Sequence, residues 1–415
     1  MRRVNRSAIL VILLLALVAA AVVGLSWINY RYALENPGGN DFLVHWVGTR
    51  ALIMDDLSPY SDEVALRIQT AAYGRAALPG EHELRVAYPL YSGILFTPFA
   101  MIKDYVLARA LWMTLLEVCL LGTAVLSMRL VDWKPGVVVA FVFLLFAVLW
   151  YHGVRPLING NAVIVVALLI TAALAAIRSG QDEWAGVFLA YATIKPQLVV
   201  LLIPFVLLWA VSKRRWRLVA WTIGGVVLFS FVGVFFVPNW ILQNIQEVLR
   251  YPGYNPPGTP GAAFQAWWPG IGEQLGWGLA ILLGVLVLIE WYAALGKDFR
   301  WFLWTASLTL VISQWIGIQT DPGNFIVLLP VLVLILAVMQ ERWGKGAWLG
   351  TILLLVILLV GLWALFLGTV EYGPQPQQHP IMFFPLPLAL LVGLYWIRHW
   401  AVRPQSAFLD ALRSI

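Results

Sequence analysis

The chain has 415 residues, 61% of them hydrophobic and 12% charged, with a mean hydropathy of +0.83 and a net charge of +6. Soluble domains are about 45–50% apolar and about 25% charged, so this chain has too few polar groups to cover a soluble surface. A cytosolic enzyme, a disordered chain and a free nucleic-acid binder are excluded.

A hydrocarbon core about 30 Å thick needs about 20 apolar residues per helix. Candidate spans lie at 8–27, 105–128, 136–152, 161–177, 216–237, 276–295, 300–318, 323–340, 347–369 and 381–400. The charged start and Ala19-Ala20-Ala21 fit a cleaved signal peptide or a retained anchor; the polytopic chain that follows favours the anchor. Segment 184–211 is too long for one untilted span and carries Lys195-Pro196 at its middle. Proline breaks the hydrogen-bond ladder and a mid-membrane lysine is costly, so two short helices, 184–194 and 196–211, are expected to hinge there. The total is about 12 helices in an all-α polytopic membrane protein, with 1–415 forming a single membrane domain. Cys119 lies in an apolar run and, as the one cysteine, can form no internal disulfide.

A cytoplasmic N-terminus places the Lys/Arg-rich segments 129–135, 212–217, 296–300 and 341–346 and the C-terminal tail on the inner side, in keeping with the positive-inside bias. That orientation requires 88–102, which contains Pro89 and Pro98, to lie on the outer surface without crossing. Two long outer loops result, 28–104 and 238–275. Loops of such length usually carry function or structure of their own.

The polar chemistry collects on the outer side. In the first loop, turn residues 36–40 lead into Asp41-Phe42-Leu43-Val44-His45-Trp46-Val47. Helical spacing puts Phe42 with Trp46, and Leu43 with Val47, predicting an amphipathic helix on the outer leaflet. Asp41 is then an N-cap or a reactive carboxylate, and His45 lies one turn further on. Residues 152–161 form an expected turn bearing Arg155, Asn159 and Asn161. Lys195 and Gln197 flank the proline of the hinge. Asp321-Pro322-Gly323-Asn324 reads as a turn, and 251–258 is rich in Tyr, Pro and Gly, fit for solvent or for stacking on a sugar. Glu117, at mid-span, is expected to pair with a polar group on a neighbouring helix.

No phosphate-binding loop, dinucleotide fingerprint or zinc motif occurs in context, and His45, His82, His152, His379 and His399 lack metal-ligand spacing. No metal or cofactor is expected. A nucleotide-sugar enzyme would need an acidic cytoplasmic site, whereas these clusters face outward, where nucleotide donors are absent. A lipid-linked donor is the consistent choice. A lipid or glycolipid transporter would also show broken helices and intramembrane charge, but repeated halves are absent and transport does not need the long first loop.

The order of these pieces resembles the GT-C superfamily, and within it the polyprenol-phosphate-mannose-dependent α-mannosyltransferases of glycosyltransferase family 87. The resemblance rests on Asp41-Phe42 after the first span, Leu57-Ser58-Pro59-Tyr60, and Tyr88-Pro89-Leu90. It continues with Asn159-Gly160-Asn161, with Gly186 leading to Lys195-Pro196, and with the late turn Asp321 to Asn324. Three departures stand out: the glycine expected ahead of Tyr60 is not evident, with Asp55-Asp56 nearby; the second proline after Tyr88 is missing; and Val163 replaces a final asparagine. The resemblance implies a metal-free, inverting transfer of a mannose-type sugar from a polyprenyl phosphate to a lipid-linked or glycan acceptor on the extracytoplasmic face of a bacterial or archaeal plasma membrane. Asp41 is implied as general base. Donor- and acceptor-binding roles fall to His45, Tyr88, Arg155, Asn159, Asn161, Lys195, Gln197, Asp321 and Asn324. Another lipid-linked sugar, such as arabinose or aminoarabinose, fits the same pattern.

Overall fold

The computed structural model describes residues 6–254, 258–316, 321–371 and 378–403. Gln319 and Thr320, ahead of the late turn, Asn255 to Pro257 of the second outer loop and the tail after Arg403 lie outside the described residues. The described chain is all-helical. In order it runs α1 (Arg6–Glu35), α2 (Asn40–Asp55), α3 (Asp62–Tyr73), α4 (Gly93–Ala100), α5 (Tyr105–Leu130) and α6 (Val137–Leu149). Then follow α7 (Tyr151–Asn159), α8 (Val163–Arg178), α9 (Asp182–Ala192), α10 (Leu202–Ser212), α11 (Trp216–Phe236) and α12 (Trp240–Arg250). Last come α13 (Pro260–Trp267), α14 (Gly272–Ala294), α15 (Phe299–Ser313), α16 (Leu329–Trp343), α17 (Ala347–Thr369) and α18 (Pro385–Ala401). Among the described residues, seven helices are long and apolar enough to cross a membrane, or eight if the bent pair α6–α7 counts as one broken span. Four shorter apolar helices include Leu90–Ala100, Val163–Arg178, Leu202–Ser212 and Phe299–Ser313. The chain is therefore a polytopic membrane protein.

By its internal contacts the chain divides into two compact units. The first comprises Met1–Val86, Ser92–Val118 and Leu157–Ala162. Its α1 leaves Leu10 to Leu15 exposed, as a lipid-facing helix does. Polar side chains tie α1 down: Asn29 donates to Thr114 Oγ1 and to Glu117 Oε2, both at 3.0 Å. That bond accounts for the mid-span glutamate. The loop between α1 and α5 is itself folded. Ser61 caps α3, Arg85 pairs with Asp62 at 2.8 Å, and Arg75 grips Glu81 through both nitrogens at 2.7 and 2.9 Å. The Glu81 carboxyl is held down to about 2 by that guanidinium and the Leu78 N–H. α2 is not the one-sided surface helix its spacing suggests. Phe42, Leu43, Val44 and His45 are all buried in its first turns, so successive residues, not one face, meet protein.

The second unit comprises Ala87–Tyr91, Cys119–Pro156 and Val163–Ile415. Its centre is α15 and α16, apolar on every side and buried on every side, as such a pattern requires. α9 and α11 pack closely because glycines face the partner helix. A Cβ on Gly186 would lie 2.5 Å from Trp221 Cβ, and one on Gly225 would lie 2.7 Å from Ala190 Cβ. Small residues permit such close backbone approach in membrane helices. Ion pairs fasten helix ends: Arg398 to Glu290 at 2.7 Å, and Arg300 to Glu341 at 3.1 Å.

Two expectations are corrected here. Residues 152–159 are helical, not a turn. Trp150 is extended (φ −68°, ψ 157°) and stops α6, and the chain restarts as α7, tolerating Pro156 inside it. The hinge is broader than one proline bend. α9 stops at Ala192, a 3₁₀ turn occupies Pro196–Leu198, and α10 starts only at Leu202.

Candidate active site

The expected residues are divided between the two units. In the first unit the carboxylate of Asp41 is the focus. Gly39, in the left-handed region (φ 77°), caps α2, so Asp41 lies in the first turn and is not the cap. Its Oδ2 accepts from Asn159 Nδ2 at 2.6 Å and from Asn161 Nδ2 at 2.8 Å. Bonds to an ionised acceptor are short and strong, and they favour the charged carboxylate.

The turn that delivers both amides requires Gly160. It has φ +71°, and a Cβ there would lie 2.5 Å from Phe42 Cβ. Phe42, next to Asp41, stacks on Trp112 with ring centroids 5.4 Å apart, and on Tyr105 at 5.9 Å. Its burial, worth about 1.5–3 kcal/mol, anchors the start of α2. His45 is buried with its ring 4.5 Å from that of Phe96, nearly parallel. The sequence pattern placed Asp41, Asn159 and Asn161 on one side of the membrane; the structure joins them at one oxygen. The asparagines, expected to bind substrate, are ligands of the carboxylate.

In the second unit, Tyr88 and Lys195 meet. Lys195 is 3% exposed and its Nζ lies 5.6 Å from the centre of the Tyr88 ring. A cation over an aromatic face is attracted by the ring quadrupole. Gln197 is half-buried in the 3₁₀ turn after Lys195. Elsewhere in the unit, Arg155 Nη1 pairs with Asp321 Oδ1 at 3.1 Å and also donates to Gln378. Asp321 caps the 3₁₀ helix Pro322–Leu328, accepting from the Gly323 N–H at 2.6 Å. Asn324 is buried in that helix.

Sequence reasoning missed Tyr151, His152 and Gln378. Gln378 donates to the Tyr151 hydroxyl, and His152 Nδ1 lies 2.7 Å from the Pro322 carbonyl. A carbonyl can only accept, so Nδ1 carries the proton. The i, i+4 offset of Tyr151 and Arg155 and the i, i+3 offset of His152 and Arg155 would have grouped these three, had 152–159 been read as helical. Among the described residues no three His, Cys, Asp or Glu side chains cluster to hold a metal ion.

The sequence pattern of glycosyltransferase family 87 matches residues 87–315, more than half of the chain. The chain belongs to glycosyltransferase family 87. It is therefore a membrane glycosyltransferase. No curated protein and no solved structure matches it significantly.

Proposed function

We propose that this family 87 enzyme has the GT-C architecture and moves a mannose-type sugar from a polyprenyl phosphate to a lipid-linked or glycan acceptor, on the extracytoplasmic side of the membrane. The observation that supports this reading best is the Asp41 carboxylate held at one oxygen by two neutral amides. Neutral donors hold an anion in place without supplying a proton of their own. That suits a general base, a role worth about 10²–10⁴-fold. Asp41 takes the proton of an acceptor hydroxyl. The hydroxyl oxygen attacks C1 of the sugar, the C1–O bond to phosphate breaks, and the polyprenyl phosphate leaves with the electron pair. Attack opposite the leaving group inverts the anomeric carbon.

Lys195 is assigned to the phosphate on its own chemistry: it is a buried cation that follows a helix break, and cations stabilise leaving-group charge. Arg155, Asp321, Asn324, Tyr88, Gln197 and His45 are assigned to substrate binding. The test is radiolabelled mannose transfer from polyprenyl-phosphate mannose into extracted membrane lipids, comparing wild type with Asp41→Asn. The substitution keeps size and removes the basic oxygen. Normal expression with transfer down by about two to four orders of magnitude is expected; near-wild-type turnover would end the role of Asp41. Transfer from a nucleotide sugar alone would overturn the donor class.

A further inference from the structure

The proposed chemistry does not use Arg109. It is 2% exposed on the first turns of α5. Its two terminal nitrogens reach in different directions. Nη1 donates to the Asn36 carbonyl at 2.6 Å, and Nη2 donates to the Ile158 carbonyl at 3.1 Å. Asn36 precedes the turn that starts α2 and so places Asp41. Ile158 precedes Asn159-Gly160-Asn161 and so places both amides. One planar guanidinium therefore fixes the distance between the segment carrying the carboxylate and the segment carrying its donors.

Neighbouring contacts serve the same end. Trp112, one turn along α5, donates from Nε1 to the Gly160 carbonyl at 2.8 Å while its ring stacks on Phe42. Tyr105 donates to the carbonyls of Gly38 and Gly39 at 2.8 and 3.0 Å. Gly39 cannot carry a side chain, because a Cβ would lie 2.5 Å from Arg109 Nε. Three side chains spaced along α5 thus hold the backbone on both sides of Asp41, and Arg109 alone among them bonds to both segments.

We infer that Arg109 is a positioning residue for the Asp41 carboxylate, with Trp112 as its second hold on the Asn159–Asn161 turn. The inference rests on Asp41 as base, but it makes a separate claim: the guanidinium acts through the amides and touches no substrate. An ammonium cannot reproduce this. Lysine offers a point charge, whereas the arginine fork offers donors in fixed directions.

The test compares wild type, Arg109→Lys and Trp112→Phe in the mannose-transfer assay, with Asp41→Asn as reference. Stability in detergent is measured alongside. In Arg109→Lys, kcat should fall by up to about 10²-fold, the scale of a misplaced catalytic group, with KM for polyprenyl-phosphate mannose nearly unchanged. The acidic limb of the kcat profile should move to higher pH by roughly one unit, because the carboxylate loses donors that favour its charged form. Tyr32 on α1, whose ring centre lies 5.9 Å from the Arg109 guanidinium, His45 on α2 and Tyr105 on α5 are titratable groups beside this segment, and none of them is replaced. Trp112→Phe keeps the ring, removes the bond to Gly160 and should move the limb in the same direction by less. If Arg109→Lys fails to fold, the Trp112→Phe limb decides alone. An unmoved acidic limb in folded protein overturns the positioning role, whatever the loss of rate. Near-wild-type turnover of Asp41→Asn instead overturns the base assignment, so the two failures are distinguishable.

Discussion

The Asp41 cluster of the first unit and the cationic cluster of the second hold charge in different ways. Asp41 is held by two uncharged amides and by a backbone turn that only glycine fits. Arg155 is held by a carboxylate, and Lys195 lies against an aromatic ring. Amides keep an anion ionised and in place while its charge remains available to chemistry. A carboxylate beside an arginine spends part of both charges on the pair. The Arg155–Asp321 pair is half-exposed, and such pairs contribute only about 0–1 kcal/mol. It suits recognition of a polar group better than neutralisation of a phosphate. The buried Lys195 suits the phosphate.

The largest effect that can break this contrast is in the second unit. Lys195→Met keeps the length of the stem and removes the charge. It should lower kcat by about 10²–10³-fold, the cost of losing one group that stabilises developing negative charge. Asp321→Asn should instead act mainly on KM for one substrate, by about tenfold or less. Steady-state kinetics with donor and acceptor varied in turn separates the two. Equal losses in kcat for both variants would erase the proposed division between Lys195 and Arg155.

How much of this was legible beforehand differs between the two clusters for a physical reason. Composition and hydropathy runs showed the polytopic all-helical class, because lipid admits few ways to satisfy a backbone. The long spans 105–128, 216–237, 276–295 and 347–369 fall within or beside helices of similar bounds. Asp41 and the Asn159–Asn161 turn were picked out by their order and sidedness, but their mutual bond was not, since a contact across more than a hundred residues leaves no local pattern. Arg109 was passed over for the same reason: its partners are backbone carbonyls, and any residue carries one. The restart at Tyr151 was missed because a proline at 156 reads as a stop, while the real break is one extended residue at Trp150. The burial of Phe42 to His45 was missed because helical spacing reports one apolar face and not what covers the other.

A smaller effect tests the rigid side of the comparison. Gly160→Ala forces a Cβ to within 2.5 Å of Phe42 Cβ at a backbone angle that L-residues disfavour. The left-handed strain and the overpacking together should cost about 2–4 kcal/mol, read as a lower midpoint of thermal unfolding in detergent. Gly361→Ala, inside α17 where a Cβ meets nothing within 4 Å, is the control and should not lower the midpoint. A Gly160→Ala midpoint equal to that of the control would mean that the turn is not the rigid support of the Asp41 site.

The smallest expected effect concerns the acid side of the pH profile, where the loop around the first cluster has a titration of its own. His82 lies between α3 and α4, and burial pushes its pKa down to about 4, with the Glu83 charge opposing weakly. Its Nδ1 accepts the Leu84 N–H at 3.0 Å, which requires that nitrogen to be unprotonated. Leu84 itself has φ 47°, so the bond supports an unfavourable backbone. Unfolded, this histidine titrates near the ordinary value of about 6.5. Between roughly pH 6.5 and 4 the unfolded loop therefore binds more protons than the folded one. Stability of the loop rises with pH across that window and is lost as pH falls, by no more than about 2 kcal/mol at pH 5. Protease nicking or hydrogen exchange within 74–87, each divided by its own rate on an unstructured peptide at the same pH, should accelerate from pH 7 to pH 5 in the wild type. His82→Asn can still accept the Leu84 N–H but does not titrate, so it should remove that acceleration. If the acid loss of activity also disappears in His82→Asn, the limb belongs to the loop and not to Asp41; if the limb stays, the carboxylate accounts for it. An identical pH dependence of exchange in both proteins would rule His82 out as the source of acid lability.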